Sequence, residues 1–308
     1  MSRLPQRRAR PAATPYSGRD QYGNPAAEWL KVDWNARRRS ELIAGARTNL
    51  VEIGSGPAVL LLHGLAGSWQ NFLDNLLPLA KRHRVIAVDL PGFGASPLPP
   101  WPITIPAYAA HLDALARQLD LGDTTIVGNS MGGLIAAQLA LDGAAWVRRL
   151  VLVSAAGISH ATMSPRPFEI VARASDAVGG RGLEFRKRML RRPRVRWGAF
   201  RNVFYRPLEL RSEFLYEQWN PALRPPGMQA ATASLFGFDI RERLGAINLP
   251  TLLVWGRNDR IVSVADAPGY AERIPGARLV VFDRCGHLPM AERPDRFNAL
   301  VGEFIGAD

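Results

Sequence analysis

Ile126-Val127-Gly128-Asn129-Ser130-Met131-Gly132-Gly133 decides the fold of this chain. An apolar, β-favouring run stops at G-x-S-x-G, and a helical pattern with Leu134, Ile135 and Leu139 follows it. A serine at that junction sits on a sharp strand-to-helix turn with its Oγ pushed out above the sheet. The tight backbone brings neighbours close, so Gly128 and Gly132 have a steric reason to lack side chains. The Met131 N–H then points at the oxygen of a carbonyl that Ser130 has attacked.

A serine hydroxyl is a weak nucleophile alone and needs a base, which in turn needs an orienting acid. The five histidines stand at 63, 83, 111, 160 and 287. His287 is the best base, because the strand-like run Val280-Val281-Phe282 passes through Asp283-Arg284-Cys285 into Gly286-His287. A matching acid, Asp259, follows the run Thr251-Leu252-Leu253-Val254-Trp255-Gly256. Both residues lie just beyond the carboxyl end of a predicted strand, where ligands meet open α/β sheets. The chain order is Ser130, Asp259, His287.

With these motifs the chain resembles the α/β-hydrolase superfamily over residues 47–155 and 246–305. His63-Gly64-Leu65-Ala66-Gly67-Ser68 resembles the family's oxyanion loop, which implies that the Leu65 N–H is a second oxyanion donor beside Met131. Asp89-Leu90-Pro91-Gly92-Phe93-Gly94-Ala95-Ser96 resembles the loop after the next strand, Gly256-Arg257-Asn258-Asp259 the acid loop and Gly286-His287 the histidine loop. Within the superfamily, Gly-Asn-Ser-Met-Gly-Gly, Cys285-Gly286-His287 and Phe297-Asn298 look closest to hydrolases of meta-ring-fission products. Those enzymes usually carry Trp after the histidine and a Ser-Gly-Pro-Gly oxyanion loop. This chain has Leu288 and Leu65-Ala66, so the expected reaction is ester hydrolysis, with C–C hydrolysis of 2-hydroxy-6-oxo-dienoates as the alternative. A ligand receptor or scaffold on the same fold is the non-enzymatic alternative.

The mechanism expected of a carboxylesterase follows from the triad. His287 takes the Ser130 proton, Asp259 holds the imidazole tautomer, and the Leu65 and Met131 N–H groups receive the oxyanion. Each such donor is worth about 3 kcal/mol of barrier. Relatives that open epoxides or displace halide place aspartate at the elbow, which Ser130 excludes. His63 reads as a brace of the oxyanion loop, and His83, His111 and His160 as surface or cap residues. No H-E-x-x-H or paired Cys/His spacing appears, and Gly54-Ser55-Gly56 lacks the rest of a dinucleotide fingerprint, so no metal and no cofactor are expected.

Apolar and charged patterning sets the architecture. Alternating β and α signals predict a mostly parallel eight-stranded sheet flanked by helices: a starting hairpin at Glu41–Ile43 and Asn49–Ile53, then strands at Ala58–Leu62, Arg84–Val88, Thr124–Val127, Leu150–Ser154, Leu249–Trp255 and Arg278–Phe282. Nearly a hundred residues separate Ser154 from Leu249, where a crossover needs about a dozen. Phe168, Phe185, Met189, Phe214 and Leu215 recur there at helix-like intervals, so residues 158–244 are expected to form a helical cap over Ser130, with Pro225-Pro226-Gly227 between two of its helices. The core is expected at 40–157 and 245–308. Residues 1–39 read as a basic, disordered extension, with Met1–Arg19 rich in Arg, Pro and Ala and without the apolar run of a secretory signal.

At 308 residues and 47% apolar composition the chain can bury one large core. No apolar run reaches membrane-spanning length, and the single cysteine, Cys285, suits a cytoplasmic location and reads as a packed loop residue. The formal net charge is +12, and all but three of the 39 basic residues are arginine. The sharpest cluster, Arg186 to Arg196, reads as a solvated helix face whose aromatics, Trp197, Phe200, Phe204 and Tyr205, pack inward. The expected partner is therefore a small-molecule ester, with no nucleic acid.

Overall fold

The computed structural model describes residues 20–161, 183–222 and 225–306. Eight strands form one sheet in the order β1-β2-β4-β3-β5-β6-β7-β8. They are β1 (Arg38–Ile43), β2 (Ala46–Ile53), β3 (Ala58–Leu62), β4 (Arg84–Val88), β5 (Thr124–Asn129), β6 (Val147–Val153), β7 (Thr251–Gly256) and β8 (Arg278–Phe282). The first two pair antiparallel across Ala44 and Gly45, both at positive φ, as a two-residue hairpin matching strand twist requires. β2 also runs antiparallel to β4, and every later neighbour is parallel.

The strands from β3 onward are apolar on both faces because helices cover both. Alternation divides them between two cores. Leu60, Leu62, Ile86, Val88, Ile126, Leu150, Leu152 and Leu253 face α2 (Ile105–Gln118) and α3 (Met131–Leu141). Val59, Leu61, Val85, Ala87, Val127, Val151, Leu252 and Val254 face α1 (Leu73–Ala80) and the terminal helix. Each fully buried aliphatic side chain contributes on the order of 2 kcal/mol of transfer free energy, so the two layers dominate stability.

Between β6 and β7 the described residues form α4 (Leu183–Leu190), α5 (Pro193–Phe200), α6 (Ser212–Ala222) and α7 (Met228–Leu235). Pro225-Pro226-Gly227 separates the last two, and the Gly227 N–H donates to the Gly92 carbonyl at 2.9 Å. Phe168 lies outside the described residues. After β7 come α8 (Asp266–Arg273), α9 (Pro289–Glu292) and α10 (Pro294–Ile305). Among the described residues no helix is long and apolar enough to cross a membrane.

Three expectations need correction. The extension is not loose up to residue 39: Met1–Arg19 lie outside the described residues, but Trp29 is buried, Arg38 already belongs to β1, and the Tyr22 hydroxyl donates to Glu292 at 2.6 Å. Apolar Trp29 and Trp34 draw the segment onto the core, and Trp34 packs on Trp69 at 5.3 Å between ring centroids. Trp197 does not pack inward but is 50% exposed, whereas Phe200 and Phe204 are buried. Finally, His111 is neither a surface nor a cap residue: it lies in α2 and is almost fully buried.

His111 lies 2.8 Å from the Thr48 hydroxyl through Nε2, and burial lowers its pKa to about 4. The unfolded chain titrates this group near 6.5, so between these values only the unfolded state gains the proton. The stability it contributes is present above 6.5 and is lost as pH falls toward 4. Relative to His111→Gln, the wild-type unfolding free energy should drop by up to about 3 kcal/mol on acidification through that window, measured by urea unfolding. Parallel pH profiles for the two proteins would contradict a buried neutral imidazole.

Candidate active site

Ser130 stands between β5 and α3 with φ 55° and ψ −116°, a strained conformation for a side chain with a Cβ. Three backbone bonds fix it: its N–H donates to Val153 O at 2.9 Å, and its carbonyl accepts from Leu134 and Ala156 N–H, each at 3.1 Å. The elbow presses against the end of β3. A Cβ on Gly132 would lie 2.3 Å from the Leu62 carbonyl oxygen, so only glycine fits there. A Cβ on Gly64 would lie 2.9 Å from Ser130 Cβ, which brings the oxyanion-loop candidate directly beside the serine.

That loop is held from below. His63 Nε2 accepts the Leu90 N–H at 3.0 Å, so its proton sits on Nδ1, which donates to the Gly64 carbonyl at 2.7 Å. Full burial lowers the His63 pKa to about 4 and keeps the ring neutral, as a brace requires. Asp89 does the same work one loop away. Its oxygens accept from Trp69 N–H, Ala95 N–H and Asn49 Nδ2, each at 2.8 Å, while burial raises its pKa to about 6. Among the described residues no protein acceptor takes the Leu65 or Met131 N–H, which leaves both donors for a ligand oxygen.

Asp259 and His287 meet as their spacing suggested. His287 Nδ1 lies 2.8 Å from Asp259 Oδ2, and the other carboxylate oxygen accepts the Ile261 and Val262 N–H groups at 2.8 and 2.9 Å. The acid side chain is wholly buried and the imidazole nearly so. The acid and histidine loops are joined by an Asn258 N–H to Cys285 carbonyl bond of 2.8 Å. Asn129 links the histidine to the elbow, its Nδ2 donating to Val153 O at 3.1 Å and His287 O at 3.3 Å. A serine, an imidazole anchored by a carboxylate and two open N–H donors suit nucleophilic acyl transfer. Cys285 is buried, and burial holds its thiol in the neutral form, which removes it as a nucleophile.

Two groups were not singled out from sequence. Glu292 is fully buried behind the histidine loop, with Oε1 accepting Gly286 N–H at 2.8 Å and Oε2 accepting Tyr205 N–H at 2.8 Å and the Tyr22 hydroxyl. Burial raises its pKa to about 7 against the pull of these donors. An acidic residue four positions after an apolar Leu288 was the available signal. His160 is packed edge-on to Phe236 and lies within electrostatic reach of His287 and Asp259, where burial and the neighbouring imidazole lower its pKa. The backbone of the histidine loop also hangs on the segment after α5, through a His287 N–H to Val203 carbonyl bond of 2.8 Å.

Comparison with known proteins adds four findings. A family model described as the alpha/beta hydrolase fold matches residues 57–294. A 2-hydroxy-6-oxo-6-phenylhexa-2,4-dienoate hydrolase of Burkholderia cepacia is 31% identical over 279 residues, covering 85% of this chain and 92% of the relative. Among solved structures, a meta-cleavage product hydrolase from Pseudomonas fluorescens superposes with a TM-score of 0.69 at 29% identity, covering 87% of this chain and 97% of that one. A thermophilic esterase from Thermogutta terrifontis superposes with a TM-score of 0.68 at 27% identity, covering 87% and 97%.

Proposed function

Because the chain belongs to the alpha/beta hydrolase fold family and is a hydrolase, we propose that it cleaves the C–C bond of a 2-hydroxy-6-oxo-dienoate by a serine mechanism. The observation that carries this reading is the 31% identity, over 85% of the chain, to a relative named for that reaction. The ester reading made from sequence becomes the second one. It is favoured by Leu288 after the histidine, by Leu65-Ala66 in the oxyanion loop and by the likeness to an esterase.

After one preliminary proton shift the chemistry runs parallel to ester hydrolysis. The 2-hydroxy group of the substrate is an enol, and its conversion to the keto form moves a proton from that oxygen onto C5. Ser130 Oγ then attacks the C6 carbonyl as His287 takes its proton, Asp259 stabilises the imidazolium, and the Leu65 and Met131 N–H groups receive the oxyanion. Collapse breaks the C5–C6 bond, and the electron pair leaves as a dienolate delocalised to the 2-oxo group. His287 returns a proton to that leaving group, and water admitted to the acyl-enzyme repeats the cycle to free the acid. The helices between β6 and β7 serve in this reading as a cap that keeps bulk water from the carbanion.

The test compares kcat/KM for a ring-fission dienoate, followed by loss of its absorbance, with a chain-length series of p-nitrophenyl esters. The dienoate should exceed every ester. An ester hydrolysed faster than the dienoate would restore the sequence-based ordering.

A further inference from the structure

The cap segment carries the densest basic run in the chain, and the proposed chemistry makes no use of it. Arg188, Arg191, Arg192, Arg194 and Arg201 are all exposed. Among the described residues no carboxylate pairs with Arg188, Arg191, Arg192 or Arg194. On α5 and its C-cap, Arg194, Trp197 and Arg201 follow at i, i+3 and i+7 and so share one stripe of the helix. Trp197 is 50% exposed and Leu208, from the next turn, 45%. Pro193, Arg194, Trp197, Gly198 and Leu208 line one shallow depression of about 500 Å³. The Arg196 guanidinium donates to the Leu208 carbonyl at 2.6 Å, fixing the turn against the helix, and Arg201 stands 4.7 Å from the Trp197 ring centroid.

We propose that this face docks on an anionic lipid surface. A half-exposed indole beside a leucine gives an apolar centre that suits the headgroup boundary, where amphipathic rings collect. The surrounding arginines keep their heads in water while their stems lie along apolar surface, and their unpaired charge complements lipid phosphates. Nucleic acid fits less well. Phe200 and Phe204 turn into the core, so neither extends Trp197 into a row of rings for successive bases, and Leu208 has no part in such a contact. The face is also coupled to the chemistry by position, since α5 leads within three residues to Val203, whose carbonyl holds the His287 N–H. Docking here sets the histidine loop near the lipid and does not depend on which bond the enzyme cleaves.

The experiment is co-sedimentation of the full chain with vesicles of phosphatidylcholine alone and of phosphatidylcholine with one third phosphatidylglycerol. Binding should appear only with the anionic vesicles and should disappear in high salt. Replacing Arg191, Arg192 and Arg194 together with Gln should weaken the partition on the order of 10²-fold, and Trp197→Ala should weaken it as well, while turnover of a soluble substrate stays at the wild-type rate. Equal binding to both vesicles, no binding to either, or full binding by the triple variant would overturn the proposal. So would a duplex DNA complex tighter than the vesicle partition and lost in the triple variant, or a concentration-dependent dimer dissolved by Trp197→Ala. Those last two results would assign the face to nucleic acid and to a second copy of the chain.

Discussion

Ser130→Ala should reduce kcat by on the order of 10⁴-fold or more and abolish covalent labelling by a fluorophosphonate, with the fold intact. The substitution removes only Oγ. Alanine keeps the same Cβ at φ 55°, and the three backbone bonds that hold the elbow involve no side-chain atom, so neither strain nor packing changes. What remains is the pair of open N–H donors, which still polarise a bound carbonyl and leave a residual rate above that in water. Circular dichroism and the urea midpoint check the fold, and active-site labelling checks the chemistry. Labelling that persists in the variant would move the nucleophile elsewhere.

Asp259→Asn should cost nearly as much, about 10⁴-fold in kcat, by reversing one hydrogen bond. The Ile261 and Val262 N–H groups both point at Oδ1, so an asparagine must turn its carbonyl oxygen toward them. Its amide then presents N–H to His287 Nδ1, which must become an acceptor. The ring proton moves to Nε2, and the imidazole can no longer take the serine proton. The variant should therefore bind substrate with little change in KM while turnover collapses. Wild-type turnover would place the acid elsewhere, although two other carboxylates, Asp239 and Asp283, are engaged by Arg241 and Arg257.

Short buried strands were legible because their limits are chemical. Ala58–Leu62, Arg84–Val88 and Arg278–Phe282 begin at a turn and end at a loop whose Gly or Asp cannot continue the apolar run, and the observed bounds coincide with the expected ones. The pairing of Asp259 with His287 was legible for the same reason, since each residue follows a strand end and neighbouring parallel strands bring those ends together. Helix α8 was not anticipated, because Pro268 and Gly269 sit inside it and its stability comes from packing Ala267 and Tyr270 against the core. His111 and Glu292 were missed because burial of a polar side chain depends on partners far away in sequence. Trp197 reads in one dimension as one more inward aromatic, and only its neighbours on the folded surface reveal that it faces out. The bond that is cleaved was the least legible property, since ester and C–C hydrolysis share the serine, the imidazole and the oxyanion donors and differ in pocket shape.

Glu292 also constrains when an active molecule comes into existence. The carboxylate joins Tyr22, Tyr205 and the Gly286 amide, and its bond to Tyr22 spans 270 positions of the chain. During synthesis the elbow and most of the sheet can pair as they emerge, because their partners are close behind them. The support behind the histidine loop has to wait for both Tyr22 and Glu292, so it closes late and carries a large loop-closure cost. A nascent chain still tethered near residue 280 would hold a formed elbow with no base to activate it. Hydrolysis thus waits until the final described helices have docked and Tyr22 has folded back to meet Glu292.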